Sequence, residues 1–316
     1  MKKIFYTLLI LLFAHQAFTQ VHKWKFGVSG GLSIPSGDFG TTSFLSTAFS
    51  KDINITVNFG GFPLPVPLKV DGVFDELTGG GAKNGNSYSL DYSYNFSKHF
   101  GIAAMYKYGM NDFNGDGYKP TIYMNFHSSL LTGGDVGPLP YTFTSSSTGK
   151  PWQMHSIMIG PNYEQSFLKG YFDMRILVGA TYVTSSDYNS AASVAGQNVA
   201  MALPSISSIG VGGLAGLYYS YPIYVKKKKT VKTDETTLRY ETPNAKPEKK
   251  IKYSICLRPG VEYFYATTKQ SRAYTIDRFD FTFAGNKIGI PAQTLSQDVT
   301  YTIQMYMLNI GLVYVR

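Results

Sequence analysis

The chain has 316 residues, of which 16% are charged and 15% are aromatic, and it contains one cysteine. Soluble domains carry about 25% charged residues, so the low charge does not indicate an ordinary soluble domain. A disulfide framework needs more than one cysteine, so a disulfide-stabilised fold is not indicated either. The net charge of +9 is concentrated: ten Lys/Arg and four Asp/Glu lie between Lys226 and Lys252. A nucleic-acid protein spreads basic residues over a folded face, so we do not predict nucleic acid as a partner.

The N-terminus has the pattern of a secretory signal. Lys2 and Lys3 precede an almost wholly apolar run, Ile4 to Ala14, which is too short to span a bilayer. Ala17-Phe18-Thr19 suits cleavage before Gln20. We predict that residues 1–19 are a signal peptide and that residues 20–316 form one exported domain.

Alternating apolar and polar residues, typical of β-strands, dominate the chain after the signal. The clearest example runs from Ser87 to Asn111, where Tyr88, Leu90 and Tyr92 begin an apolar face and Ser97-Lys98-His99 forms a turn. The strands are about ten residues long, near the ~9–11 that a tilted strand needs to cross a bilayer. In chain order, the predicted strands are Trp24–Ser33, the two of this hairpin, Met154–Tyr163, Phe172–Tyr182, Ser208–Tyr221, Ile251–Tyr265 and Tyr306–Tyr314.

In the hairpin and in the strands Phe172–Tyr182, Ile251–Tyr265 and Tyr306–Tyr314, the charged residues share one face, and most other residues of that face are small, such as glycine and serine. This small polar face suits a crowded barrel lumen better than the water-facing side of a soluble β-sandwich. The charges either line a narrow pore or pair with one another as a polar core, and an interior of eight strands favours the paired core. They are Asp91, Lys107, Asp173, Arg175, Lys252, Arg258 and Glu262.

Three stretches resemble the small outer-membrane β-barrels of Gram-negative bacteria, of the OmpA/OmpX or PorT-like kind. They are "YNFSKHFGIAAMYKYG", "IMIGPNY" at Ile157–Tyr163 and the C-terminal "MLNIGLVYVR", which ends in Arg316 where that family has an aromatic residue. The resemblance implies an all-β, antiparallel, up-and-down transmembrane β-barrel located in the cell outer membrane. It also implies outer-membrane lipid, lipopolysaccharide and the barrel assembly machinery as partners.

A simple up-and-down count gives eight strands, although strand-like pieces within the loops leave ten or twelve possible. With both termini in the periplasm, short turns near Ser97 and near Glu164–Gly170 are periplasmic. The basic connecting segment 226–250 is then periplasmic too, and faces lipopolysaccharide if the count is off by one strand. The four long extracellular loops are about Ile34–Asn86, Asp112–Trp152, Thr184–Ile206 and Thr267–Asp298.

Two features compete with this interpretation. Pro161 and Pro259 lie inside predicted strands, which predicts bulges or strand ends at both positions. From Ala191 to Val225 there is no charge and Lys226 follows, which also suits a transmembrane helix with a positive flank. Gly210, Gly212, Gly213 and Gly216, together with two prolines, favour the strand.

The stretch "DFNGDGY" predicts either a calcium loop or a plain turn. Asp112, Asn114 and Asp116 would be the calcium ligands, but Tyr123 stands where a bidentate glutamate belongs. The Asn-Gly and Asp-Gly pairs suit a turn. We predict no cofactor, with structural calcium as the alternative.

A catalytic alternative rests on His127 and Ser129, which would share a face of a strand. Outer-membrane lipid esterases look similar, but the third member of the set is missing: Tyr141 stands in its place, with Asp135 as a stand-in. Cys256 is predicted to face the lumen as inert packing.

The sequence therefore predicts a non-enzymatic outer-membrane barrel with a structural or interaction role. Its loops or its basic segment would bind a periplasmic or envelope partner. The alternatives are a narrow pore or uptake protein and a lipid esterase that uses His127 and Ser129.

Overall fold

The computed structural model describes most of the chain after the predicted signal peptide. The signal peptide itself and most of the basic segment lie outside the described residues, so both remain predictions. The described ranges are 24–59, 62–77, 79–115, 121–127, 136–142, 144–145, 150–194, 197–227, 251–283 and 286–316.

Eight antiparallel strands pair in chain order, and the pairing of the last strand with the first closes the ring. This confirms the predicted up-and-down barrel and fixes its strand number at eight. A closed ring leaves no open sheet edge, so the backbone groups along the ladders are paired within the barrel. The strands are β1 (Trp24–Ser36), β2 (Ala82–Asn95), β3 (Phe100–Phe113), β4 (Trp152–Phe167), β5 (Gly170–Thr184), β6 (Ser207–Lys227), β7 (Ile251–Ile276) and β8 (Gln293–Val315).

The alternation in sequence becomes an alternation between lumen and exterior. In β2, Ser89, Asp91 and Ser93 are buried inside, whereas Leu90 and Tyr92 are exposed outside. The same alternation repeats in the other strands of the ring, so the outward-facing apolar side chains form a belt around the barrel. Its exposed members include Phe26, Val28, Leu90, Ile102, Ile159, Ile176, Val178, Val211, Leu217, Val261, Leu308, Ile310 and Leu312.

Aromatic rings border the belt towards both ends of the barrel. At the end that holds the termini, Trp24 packs against Tyr314 with ring centroids 5.7 Å apart. At the other end, Tyr88 stacks on Tyr108 at 6.4 Å. On β8 the outward apolar positions run from Tyr306 to Tyr314, nine residues, which matches the length of a tilted membrane-crossing strand.

Both termini and the short connections lie at one end, as predicted. Backbone bonds of 3.2 and 3.0 Å join Trp24 to Arg316. One correction concerns the turn predicted near Glu164–Gly170: β4 continues to Phe167, and the turn is only Leu168 and Lys169. Leu168 has a positive φ of 52°, the left-handed conformation that this tight reversal requires.

The opposite end carries the long loops, and the loops have strands of their own. Strands from the first two loops form a separate four-stranded antiparallel sheet: Phe44–Phe59, Phe62–Leu77, Thr121–His127 and Val136–Thr142. A two-stranded hairpin, Phe279–Phe283 with Asn286–Ile290, occupies the fourth loop. The remaining loop elements are the 3₁₀ helix Gly37–Gly40 and the strands Thr144–Ser145, Tyr188–Val194 and Gln197–Leu203.

The fourth loop is shorter than predicted. The expected span was Thr267–Asp298, but β7 and β8 remain paired out to Ile276 and Gln293. The alternation weakens there because Thr, Lys, Gln and Ser replace the outward apolar residues. A strand that has left an apolar environment no longer needs an apolar outer face, so its sequence pattern fades before its pairing ends.

Pro161 and Pro259 produce neither strand ends nor bulges. Pro161 pairs with Ile102 on one side, while the β4–β5 ladder has no pairs between Asn162 and Ile159. Pro259 likewise pairs with Ile310, while the β6–β7 ladder skips from Gly260 to Leu257. Proline lacks an N–H, so each one interrupts the ladder on one side only and the strand continues.

The transmembrane-helix alternative for Ala191–Val225 is wrong. Its C-terminal half lies in β6, which pairs with both β5 and β7, and its N-terminal part lies in loop strands. Across the described ranges of the chain, no helix is long and apolar enough to cross a membrane. The glycines and prolines of this stretch disfavour a helix, and its period of two is that of a β-strand.

Candidate functional site

Eight charged side chains form one cluster inside the barrel, and every one of them is at most 7% exposed. Four are cations and four are carboxylates, so the cluster has no formal net charge. The members of this lumen cluster are Lys25, Lys107, Arg175, Arg258, Asp91, Glu164, Asp173 and Glu262.

Asp91 occupies the centre of the lumen cluster. Arg175 donates to its Oδ2 at 2.7 Å, and Arg258 donates to Oδ2 at 2.9 Å and also to Oδ1. One carboxylate of β2 therefore holds two guanidinium groups that come from β5 and β7, the strands on either side of β6. Charge-assisted bonds of this kind are stronger than neutral ones, which suits a buried position where water cannot solvate the charges.

Two further groups extend the network. Asp173 accepts a two-point contact from Arg175 at 3.1 and 2.7 Å, and it also accepts from Lys25 at 3.1 Å. Lys25 donates to Glu164 at 2.6 Å. Lys107 pairs with Glu262 on the other side of the lumen.

Tyr218 fills the space between the two arginines and Glu262. Its ring lies 4.9 Å from the guanidinium carbon of Arg175 and 5.0 Å from that of Arg258, and its hydroxyl donates to Glu262 at 2.7 Å. Gly216 and Gly260 make this possible: a Cβ at either position would lie within 2.6 Å of Tyr218. These two glycines, one on β6 itself and one on the neighbouring β7, therefore provide room for a large side chain in the lumen.

Gly27 has the same role for the central ion pair. A Cβ there would approach Asp91 Oδ1 to 2.6 Å and Arg258 Nη2 to 2.7 Å. Small residues on one strand thus match large charged residues on others. The result is a packed interior: beside Lys107, a residual cavity of only about 10 Å³ remains. An eight-stranded barrel has space for side chains and little else.

A second, mostly aromatic layer closes the barrel towards the loops. Phe39 of the 3₁₀ helix is buried and packs edge-on against Trp152 at 5.5 Å, and Trp152 donates its indole N–H to Gly80 O at 2.8 Å. Arg272 lies over the rings of Trp152 and Tyr301 at 5.8 and 5.2 Å. The base of the first loop is therefore folded into the barrel mouth.

Sequence reasoning found six of the eight cluster members and missed two. The alternation placed Asp91, Lys107, Asp173, Arg175, Arg258 and Glu262 correctly on the inner face, and the structure pairs all six. Lys252 is a correction: it has the same parity but is exposed, because it lies beyond the end of β8's ladder.

The two missed residues differ in whether the sequence pattern could have placed them inside the barrel. Lys25 alternates with Trp24 and Phe26, so parity could have placed it inside the barrel. Glu164 was assigned to a turn and therefore received no face. Tyr218, also missed, has the inward parity of β6, but nothing in the sequence indicates that two arginines would meet its ring.

The calcium hypothesis stays a prediction. Asp112 lies in β3 with an exposed side chain, Asn114 follows β3 and donates its backbone N–H to Gly81 O at 2.6 Å, and Asp116 lies outside the described residues. In the part of the chain that is described, no three His, Cys, Asp or Glu side chains are grouped to hold a metal. The loop was predicted to begin at Asp112, whereas Asp112 and Phe113 are the last two residues of β3, at the loop end of the barrel.

The esterase hypothesis also remains untested. His127 ends a strand of the four-stranded loop sheet, where its backbone pairs with Lys69, and it is not on a barrel strand. Ser129 and Asp135 lie outside the described residues.

Cys256 faces the lumen, as its parity predicted, and is fully buried. Tyr171 donates to its sulfur at 3.7 Å, and the Ser254 hydroxyl lies 3.8 Å from it. A thiol enclosed by the barrel wall has no access to an oxidant or a substrate, so packing explains its environment.

The sequence matches no protein-family model and no curated protein. Solved structures similar to the chain include two of Ail, the attachment invasion locus protein of Yersinia pestis, one in complex with the heparin analogue sucrose octasulfate. Both are 13% identical, with TM-scores of 0.31 and 0.30, and the match covers 92% of this chain and 99% of Ail. The translocator domain of autotransporter NalP from Neisseria meningitidis is 10% identical with a TM-score of 0.16, over 99% and 95% of the two chains.

The class of protein follows from the chain's own geometry. A closed, up-and-down, eight-stranded ring with an apolar exterior, aromatic borders and a polar lumen is a transmembrane β-barrel. Its interior is occupied by a network of paired charges. The additional sheet and hairpin lie at the loop end.

Proposed function

We propose that this protein is a non-enzymatic barrel of the bacterial outer membrane that acts by binding at its loops, rather than by passing a solute. The filled lumen carries this proposal. A pore needs a continuous aqueous path, whereas here four cations and four carboxylates are paired side to side and Tyr218 packs between them. Function then falls to the surfaces outside the ring.

The loop end is the larger of those surfaces. It holds a four-stranded sheet and a hairpin that the barrel itself does not need. With the termini in the periplasm, this end faces the cell exterior and lipopolysaccharide, and segment 226–250 faces the periplasm. Envelope proteins could then bind that segment. Outer-membrane localisation is supported by the predicted signal peptide together with the exposed apolar belt.

We expect the purified, refolded protein to give no ion-conducting steps in a planar lipid bilayer. The physical reason is that a water path through the lumen would open only if the buried ion pairs that span it separated. A general porin measured under the same conditions is the positive control. Discrete steps from a sample whose unboiled gel band shows folded barrel would contradict the proposal and favour the narrow-pore alternative.

A further inference from the structure

The two ends of the barrel differ in the charges that they expose. At the terminus end, the described stretches carry six partly or fully exposed cations, and the acidic side chains there, Glu164 and Asp173, are buried in the lumen. At the loop end, acidic and basic side chains are mixed. We call the six cations the basic rim: Lys98, Lys169, Lys226, Lys227, Lys252 and Arg316.

The basic rim extends around the barrel. Lys98 lies in the turn between β2 and β3, and Lys169 lies in the turn between β4 and β5. Lys226 and Lys227 are the last two residues of β6, and Arg316 follows β8 next to β1. A partner protein that docked from one side would meet only part of this distribution. A lipid leaflet surrounds the barrel and meets all of it.

Aromatic contacts show where two of these cations lie. Lys226 Nζ is 5.7 Å from the ring centroid of Tyr253, and the guanidinium carbon of Arg316 is 5.6 Å from that of Trp24. Tyr314 connects the two rings, at 5.4 Å from Tyr253 and 5.7 Å from Trp24. These rings belong to the aromatic border on the outer wall, so the cations lie beside the belt and away from the barrel axis.

Cations beside an aromatic border, next to an apolar belt, lie at the depth of lipid headgroups. Lysine and arginine stems extend along apolar surface and place their charges at the interface, where anionic lipid attracts them. We infer that the basic rim binds the phosphate headgroups of anionic phospholipids in the leaflet at the terminus end. The inference rests on the proposed membrane insertion. The sequence adds charge of the same sign, since residues 226–252 carry a net +6.

Trp24 provides a direct reporter for this site. It lies at the rim, whereas the second tryptophan, Trp152, is 0% exposed inside the barrel and out of reach of lipid. The protein would be refolded into vesicles of one composition, phosphatidylcholine with phosphatidylglycerol. Bromine, which quenches tryptophan fluorescence on contact, would be carried either by the phosphatidylglycerol or by an equal amount of the phosphatidylcholine. We expect about a five-fold preference for phosphatidylglycerol as the quencher, reduced by high salt.

Matched variants separate the rim from general charge effects. Replacing Lys226, Lys227, Lys252 and Arg316 by Gln should bring the quenching ratio close to one. Replacing the exposed loop-end residues Lys83, Lys150, Lys269 and Arg278 by Gln removes the same charge and should leave the ratio unchanged.

The outcomes are distinguishable. Equal quenching by both lipids, from protein that gives the folded-barrel band on an unboiled gel, would overturn the lipid inference and leave the proposed function intact. It would also turn attention to an acidic protein partner. Absence of that band in every vesicle would instead contradict membrane insertion itself.

Discussion

Replacing Asp91 by Ala is expected to lower the free energy of unfolding by about 3–5 kcal/mol, because it leaves two buried guanidinium groups without their shared carboxylate. Arg175 and Arg258 both donate to Asp91, and none of the three is more than 2% exposed. Unfolding by urea in lipid vesicles, followed by the loss of the folded band on unboiled gels, measures the change. Asp277→Ala, at an exposed position beyond the end of β7, is the control and should have little effect.

Two glycine substitutions test the same packing if the Asp91 variant does not fold. Gly27→Ala places a methyl group against Asp91 and Arg258, and overpacking of this kind costs about 1–3 kcal/mol. Gly213→Ala faces outward, where its nearest neighbour, Leu177 O, is 3.5 Å away, and should be close to neutral. Equal stabilities of the two alanine variants would show that the centre of the lumen cluster is not packed as described.

Replacing Ile310 by Arg is expected to destabilise the inserted barrel by about 2–4 kcal/mol, because the side chain faces the centre of the apolar belt. Ile310 is 59% exposed. In a protein surrounded by water, a substitution at such an exposed position would change stability by about 0.5 kcal/mol or less. The sign and size of the effect therefore report the solvent around the barrel.

The matched control for this substitution lies on the same face of the same strand. Ser296 of β8 is exposed and lies beyond the belt towards the loops, so Ser296→Arg should be tolerated. Both variants are measured by urea unfolding in the same vesicles. If the two arginines have equal effects, the belt is not in contact with lipid hydrocarbon.

The barrel was predictable because its signal is local. A period of two places Leu308, Ile310 and Leu312 on one face without any knowledge of neighbouring strands, and each transmembrane strand repeats that test. The register was not predictable, because a period of two is satisfied by several relative shifts of neighbouring strands. The extra length of β7 was not predictable either, because pairing beyond the belt leaves no hydrophobic pattern.

The lumen cluster was predictable in its members but not in its arrangement. Parity places a charge inside, yet which carboxylate meets which arginine depends on how far neighbouring strands are shifted. Asp91 and Arg258 are separated by 167 positions in the chain, and the glycine that makes room for their contact lies on a third strand. Glu164 shows the other limit, because an error of a few residues in a strand end removes a residue from the correct face.

The most direct test of the account is the migration of the protein from an outer-membrane fraction on a detergent gel, with and without boiling. A closed barrel resists detergent until it is heated, so we expect the protein in that fraction, with an unboiled band that shifts on boiling. Recovery from the inner membrane, with one band position under both conditions, would contradict the closed barrel, the placement of the loops outside the cell and the lipid contacts of the basic rim.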